Sequence, residues 1–465
     1  EFSSPEFARS MPYKPSFQEV QTRLFGMFAR LNYSYQDIYL LDASLRIDGS
    51  SEFGSDKRYA PFFSGGLGLN IHKYDFMEKY GFINHLKVRG SFGQTGKVNF
   101  APYAAVPTHE IDIDEWYISG PAASLMTTRG NRDLKWEKTN KFDVGFELGL
   151  LKNLLYLEFS WYNEITNGLI TDVTLPSSTG FKTYKSNMGK VENKGFEIQF
   201  RSDLLSTADW YVAVFANLAH NTNKIKKISD ALKAYNDAVN EYYNQEIESL
   251  WDKDNPNLNR VMTKYEEGQS LSAKYGLKSL GIDPANGQEL YVYRDGTVSY
   301  DWSATEMRNI GDEMPWGTGS FGVNLRWKNI TFSTSFLYEF GGDFYNETLI
   351  DKVENAKIEE YNVDRRAMSQ RWKKFGDVVM YKDIKDNTQT TDPTSRFMQR
   401  NNVLSWNSMT IGYELDREML KRIGIENIRI EVGTNDLWRL STVKAERGLS
   451  YPYANSVNFS VNVRF

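Results

Sequence analysis

The chain has 465 residues, of which 40% are hydrophobic and 25% charged, with a net charge of -5 and no cysteine. That charge is too small to point to nucleic acid, and the lack of cysteine excludes disulfides and thiolate metal sites. Mean hydropathy is polar at -0.54, and no run comes near the roughly 18 apolar residues of a spanning helix. A membrane β-strand escapes such an average, because every second residue faces water. The 28 Tyr, 28 Phe and 11 Trp fit the interfacial girdles of a membrane barrel.

Residues 1–21 read as irregular, with Pro5, Pro12 and Pro15. The chain begins at Glu1 and shows no signal peptide, which an exported protein needs. It is therefore expected to be a piece of a longer chain or a processed product. A first strand is expected over Leu24 to Tyr35, and Gln36-Asp37 turns it into a second that alternates Leu41, Ala43, Leu45 and Ile47 with polar residues. Phe63 to Ile71 and the run around Leu86 to Phe92 follow. After a polar segment at 97–138 come Phe142 to Leu148, a turn at Lys152-Asn153, and Leu155 to Trp161. Strands around Phe196 to Phe200 and Val212 to Leu218 precede a second excursion, 223–316. Within it, Ser229 to Leu250 has helical spacing with a capping Ser or Asp. Phe321 to Trp327 turns at Lys328-Asn329 into Phe332 to Phe340. A charged, Asn-rich third excursion covers 345–402. Strands around Met409 to Tyr413 and Ile428 to Val432 lead to the last one, where Val457, Phe459, Val461, Val463 and Phe465 alternate with Asn458, Ser460, Asn462 and Arg464.

These are about thirteen amphipathic strands of the length that crosses a tilted bilayer path. The expected fold is all-β: a transmembrane antiparallel β-barrel with long extracellular loops and one helical loop insertion. Short and long connections alternate. Short periplasmic turns, long outer loops and a periplasmic C-terminus are compatible only if the first and last strands run the same way, which makes the strand count odd. Bacterial barrels have even counts. An odd number of strands is thus expected to be missing on the N-terminal side, with residues 1–21 the tail of an outer loop.

Several segments, in this order and spacing, carry a family resemblance: RLNYSYQDIYLLDASLRIDGSSEFG (30–54), LKVRGSFGQTG (86–96), RGNRDLKWEKTNKFDVGFELGLL (129–151), NKGFEIQF (193–200), LGIDPANGQELY (280–291), FLYEFGGDFYN (336–346), WNSMTIGYEL (406–415) and the terminal NFSVNVRF. Across essentially its whole length the chain resembles the C-terminal part of the SusC/RagA-type TonB-dependent transporters of the Bacteroidetes outer membrane. The resemblance implies a barrel of 22 strands, of which about nine, the plug domain and the TonB box would lie outside this chain. It implies TonB-dependent import of oligosaccharides or oligopeptides. The implied partners are a SusD-like surface lipoprotein acting as a lid, TonB through the missing N-terminal part, and outer-membrane lipid. The implied assembly is a dimer of transporter–lid pairs in the bacterial outer membrane. No enzyme activity, cofactor, metal or nucleic acid is implied.

Candidate sites follow from this reading. Phe459, Val461, Val463 and Phe465 form the terminal aromatic strand that serves the family as a barrel-insertion signal. Arg46, Asp48, Lys87, Arg89, Asp143, Glu147, Glu197, Arg201 and Arg326 are expected to line the lumen. They could guide substrate or contact a plug, and mutual pairing is the plainer expectation for each. Trp116, Tyr117, Trp251, Tyr291, Trp302, Trp316 and Tyr345 sit in the long loops. They could stack on sugars or anchor the lid, or fill small loop cores. The acidic runs at 109–115 and 252–254 lack a calcium-loop pattern, and the four His show no catalytic order. Two other readings stay open: a plugless barrel that exports, assembles or displays proteins, and a soluble all-β carbohydrate binder.

Overall fold

A computed structural model describes residues 21–53, 58–97, 105–117, 120–128, 130–131, 133–152, 154–174, 183–187, 189–228, 233, 236–237, 265–356, 358, 362–386, 391–416, 420, 424–444 and 455–464. Thirteen long strands make one antiparallel sheet in which each pairs with its neighbours in sequence. They are β1 (Leu24–Tyr35), β2 (Tyr39–Ser50), β3 (Tyr59–Asn70), β4 (Ile83–Lys97), β5 (Glu137–Leu150), β6 (Leu155–Asn167) and β7 (Gly189–Ser206). They continue with β8 (Trp210–Ile228), β9 (Gly317–Trp327), β10 (Ile330–Tyr345), β11 (Met398–Glu414), β12 (Asn427–Ser441) and β13 (Ser456–Arg464).

Register puts the apolar positions in continuous rows. Leu69, Val88, Phe146, Phe159, Ile198 and Leu218 lie opposite one another from β3 to β8. Val212, Leu325, Phe332, Ile411, Val432 and Phe459 do the same from β8 to β13. Because residues directly opposite share a face, one side of the sheet is an unbroken apolar belt. That belt is not covered by a second layer. Phe459 is 68% exposed, and Leu67, Ile411 and Val432 are exposed inside the sheet. Ring stacks hold the belt laterally, as in Phe146–Phe159 and Phe321–Phe336 with centroids 5.6 and 5.0 Å apart.

Connections alternate in length. Those at 36–38, 71–82, 151–154, 207–209, 328–329 and 415–426 gather at one end of the sheet, and Arg464 ends there too, where its carbonyl accepts from the Glu426 amide at 2.9 Å. Those at 51–58, 98–136, 168–188, 229–316, 346–397 and 442–455 gather at the other. The tight turns use left-handed backbone, with Gln36 and Asp37 at φ 52° and 54° and Leu151 and Lys152 at 52° and 58°. That geometry matches the twist of a two-stranded ribbon. The β5–β6 turn therefore centres one residue earlier than Lys152-Asn153. Not every connection at this end is tight, since 71–82 carries two 3₁₀ turns, Ile71–Lys73 and Asp75–Lys79.

The long loops hold more order than their polarity suggested. Paired strands occur at Thr108–Tyr117 with Gly120–Thr128, Ile170–Thr174 with Thr183–Asn187, and Ala273–Gly276 with Arg308–Asp312. A three-stranded meander joins Lys278–Ile282, Glu289–Val292 and Val298–Ser299. The helix expected over 229–250 falls almost wholly outside the described residues, although Lys233, Asn236 and Asp237 are helical. Two apolar cores lie at the long-loop end: Phe53, Ala105, Leu134, Trp136 and Ile170 pack with Ala60 and Phe62 of β3 in one, and Leu349, Ile350, Val353, Tyr381 and Phe397 form the other.

If the belt meets hydrocarbon, charge on it must be expensive and charge on the other face cheap. Val323→Arg should lower the stability of the folded protein in lipid vesicles by about 2–4 kcal/mol. Asn324→Arg, one residue on and facing the other side, should leave it within about 0.5 kcal/mol. Denaturant titration in vesicles reads both.

Candidate functional site

Opposite the belt, β4, β5 and β6 carry a ladder of paired charges. His85, Lys87 and Arg89 alternate along β4, facing Glu147 and Asp143 on β5 and Glu158 on β6. Glu147 takes both Lys87 Nζ and His85 Nε2 at 3.1 Å. Arg89 reaches Glu158 at 2.9 Å, Asp143 at 3.4 Å and the Ser160 hydroxyl at 2.6 Å. Its guanidinium lies across Gly145, where an added Cβ would sit 2.6 Å from the Phe159 carbonyl and 3.4 Å from Arg89 Nε. Glycine here makes room for the charge to lie against the wall.

Further along the same face, Arg46 pairs with Asp48 at 2.7 Å. Arg201 contacts Asp203 at 3.4 Å and the Tyr211 hydroxyl at 3.2 Å. Arg326 lines a concavity with Tyr211, Thr331, Arg429 and Glu431, and Arg429 holds Glu431 at 2.7 Å. Glu197 is exposed on this face between Ser160 and Ala219. Pairing within the wall is thus the rule for most of these side chains, which leaves a surface that is polar yet locally neutral.

The long-loop residues scatter. Trp116 and Tyr117 have their backbone at the tip of the 108–128 hairpin. Trp251 and Phe465 lie outside the described residues, as do the side chains of the acidic run at 109–115 and the whole of 252–254. Tyr291 is only 8% exposed, its hydroxyl 3.4 Å from Glu289, so it fills a core and offers no stacking face. Trp302 donates its indole N–H to the Pro393 carbonyl at 3.0 Å. Tyr345 packs against the second loop core and takes the Thr394 amide at 3.4 Å. Trp316 sits on the belt side, beside His220 at 4.7 Å, Phe340 at 5.3 Å and Phe196 at 6.4 Å. That is a position for a membrane interface. Among the described residues no group of three or more His, Cys, Asp or Glu is placed to hold a metal.

Sequence reading missed the group that organises the loops. Arg396 is almost wholly buried between Glu354 and Glu289. Its Nη2 meets Glu354 Oε1 at 2.7 Å and Glu289 Oε2 at 2.6 Å, its Nη1 bonds the other Glu354 oxygen and the Met380 carbonyl, and its plane lies 4.4 Å from the Phe397 ring centre. Thr394 and Thr391 donate to the same two carboxylates at 2.7 and 2.6 Å. Beside this cluster, buried Arg371 gives its N–H groups to the carbonyls of Ala367, Lys382, Val353 and Glu354. The Leu277 amide donates to the Pro393 carbonyl at 3.1 Å and the Ser395 amide to the Leu277 carbonyl at 2.9 Å, and Trp372 donates to the Pro284 carbonyl at 3.0 Å while covering Gly287. The 265–316 and 346–397 loops are therefore one body, a crown over the long-loop end. The crown also leans onto β8 on the face opposite the belt: Asn223 Oδ1 accepts from the Leu271 amide at 2.9 Å, and Ile225 exchanges backbone bonds with Gln269 and Gly268.

A family model described as TonB dependent receptor-like, beta-barrel, matches residues 3–326. The chain belongs to that family. It is 26% identical over 449 residues to TonB-dependent receptor P3 of Formosa agariphila, covering 91% of this chain and 42% of the relative. It is 27% identical over 344 residues to TonB-dependent receptor SusC of Bacteroides thetaiotaomicron, covering 71% and 32%. Its fold is similar to that in the structure of the RagAB peptide transporter, with a TM-score of 0.76, 22% identity, and 94% of this chain and 46% of that one covered. The chain spans less than half the length of these relatives. The thirteen strands are thus part of a TonB-dependent receptor barrel.

Two expectations follow for the crown. Arg396→Met leaves Glu289 and Glu354 buried without a cation, and should destabilise the crown by about 3–5 kcal/mol. Proteolysis within 346–397 should rise accordingly while the barrel stays folded. Burial pushes the Asp392 carboxyl up to about 6, with Lys382 opposing and Glu289 adding to the shift. The folded crown then holds this proton more tightly than the unfolded loop. Its stability should rise as the pH falls through about 6 toward 4, by an amount on the order of 2–3 kcal/mol. Asp392→Asn should flatten that slope in hydrogen exchange measured over this range. Asp364, held down to about 2 by Arg366, titrates below the window.

Proposed function

We propose that this chain is the C-terminal part of a TonB-dependent importer in the bacterial outer membrane. It takes in oligosaccharides or oligopeptides with a SusD-like lipoprotein seated on its crown and TonB acting through segments outside this chain. The observation that carries the reading is the asymmetry of the two ends. Tight turns and the C-terminus mark one, a welded crown of two loops the other, and between them runs a wall of paired charges. A bare diffusion pore needs no rigid platform at its mouth; a lidded importer does. The proposed assembly is a dimer of transporter–lid pairs.

The lumen ladder suits passage of polar, neutral-to-zwitterionic chains. Arg89 has three acidic neighbours within 4.0 Å, so a substrate hydroxyl or amide can replace one partner while the others hold the charge. Selectivity then rests on many weak exchanges along the wall, with no covalent step. At the top, a turn through Gly376 presents Phe375 and Val378, 80% and 86% exposed, beside Lys373 and Lys374. Apolar side chains so bare on a rigid loop suit a protein contact.

The names of the relatives divide the substrate question: one is the SusC receptor, another a peptide transporter. Uptake of labelled oligosaccharides and oligopeptides by cells with and without the intact protein decides between them. For the lid, Phe375→Asp with Val378→Asp in the complete transporter should reduce co-purified lipoprotein by about tenfold or more. Undiminished co-purification would remove the crown tip from the interface.

A further inference from the structure

The outer face of β7 and β8 changes character toward the crown. Its middle is apolar, with Ile198 opposite Leu218. Next comes the aromatic group of Phe196, His220 and Trp316. Beyond that ring, the next positions on the same face are Lys194, Glu192 and Lys190 of β7, with Lys224 and Lys227 of β8. Glu192 lies opposite Lys224, and Lys190 opposite Lys227. A register shift between these pairs leaves Lys226 as an extra residue, and its Nζ reaches back to Glu192 at 2.7 Å. Five cations and one acid thus occupy a strip about 13 Å long on two adjacent strands.

Among the described residues the strip holds more cations than acids. Glu192 is engaged by Lys226, and among the described residues no acid pairs with Lys190, Lys194, Lys224 or Lys227. Like charges directly opposite one another weaken a sheet, as Lys190 and Lys227 do here, and an anion held against the strip relieves that repulsion. Its position says what that is. Aromatic side chains at the edge of an apolar belt mark the level of lipid headgroups, and lysines just beyond send their ammonium groups to the same level. Lysine suits a phosphate as a mobile point charge, without the fixed fork that a carboxylate partner favours.

We propose that Lys190, Lys194, Lys224 and Lys227 bind the phosphorylated headgroup of a lipid in the leaflet on the crown side. This rests on the reading that the belt is embedded in the outer membrane with the crown outside. The bound lipid would pin the depth of the barrel wall at the crown end of β7 and β8.

The test uses the complete transporter purified in mild detergent and exposed to a bis-phosphorylated glycolipid or its dephosphorylated form, with retained lipid counted by native mass spectrometry. The wild-type protein should retain the phosphorylated lipid, and raised salt should release it. The combined variant K194Q/K224Q/K227Q should retain it at least about tenfold less. A control variant on the crown, K278Q/K373Q/K374Q, should match the wild type. Equal retention by the strip variant, or equal retention of the dephosphorylated lipid, overturns the proposal. So does chemical cross-linking in cells that joins these lysines to acidic residues of a protein. Labelling of a cysteine placed at Lys374 on intact cells checks the orientation separately: label without lipid retention sinks the lipid site alone, and no label sinks the orientation.

Discussion

A peptide group in hydrocarbon has no water to bond, so its N–H and C=O must be satisfied by the chain itself. Everything else here answers to that. Each strand from β2 to β12 is bonded on both sides, which frees the side chains to divide by solvent. Phe146 can face lipid while Glu147 faces water because the ladder, and not a core, fixes the backbone between them. The usual relation of fold to core is thereby reversed. Many large apolar side chains lie bare on the belt, and among the described residues the compact apolar clusters gather at the long-loop end.

Inside, the same constraint produces economy of a different kind. A charge on the face opposite the belt, left alone, would organise water and counter-ions around it. Paired across strands, as Lys87 with Glu147 or Arg89 with Glu158, it becomes part of the wall. Gly145 shows how closely wall and charge are fitted, since any side chain there would displace the Arg89 guanidinium or the strand behind it. The loop layer works by the same rule in a drier setting. Arg396 joins Glu289 and Glu354 from distant parts of the chain, and Arg371 ties off four carbonyls that have no sheet or helix to bond them.

The strands were legible because a period of two needs only neighbours in sequence. Leu24–Tyr35 emerges with the bounds its alternation implies, and the parity of long and short connections follows from counting. The tight turns were nearly as clear, though positive φ at Leu151 shifted one of them. What the sequence did not disclose lies where partners are remote. Arg396 stands next to Phe397 and 107 residues from Glu289, and nothing local distinguishes it from a surface arginine. Tyr291 and Tyr345 looked like binding aromatics because a loop tyrosine carries no sign of burial. Trp316 misled for a related reason: a residue just outside a strand has no alternation to say which face it joins.

The crown differs from most folded bodies of its size in what it hides. Beside the apolar side chains around Phe397, it buries Glu289, Asn346, Glu354, Arg371, Lys382 and Thr394. Exposing apolar surface raises heat capacity, whereas exposing polar surface lowers it, so the two contributions offset when such a body opens. Its free energy of opening accordingly curves less with temperature than it would with hydrocarbon at those polar positions. A mouth built this way loses less of its firmness to a change of temperature than one held by hydrocarbon alone.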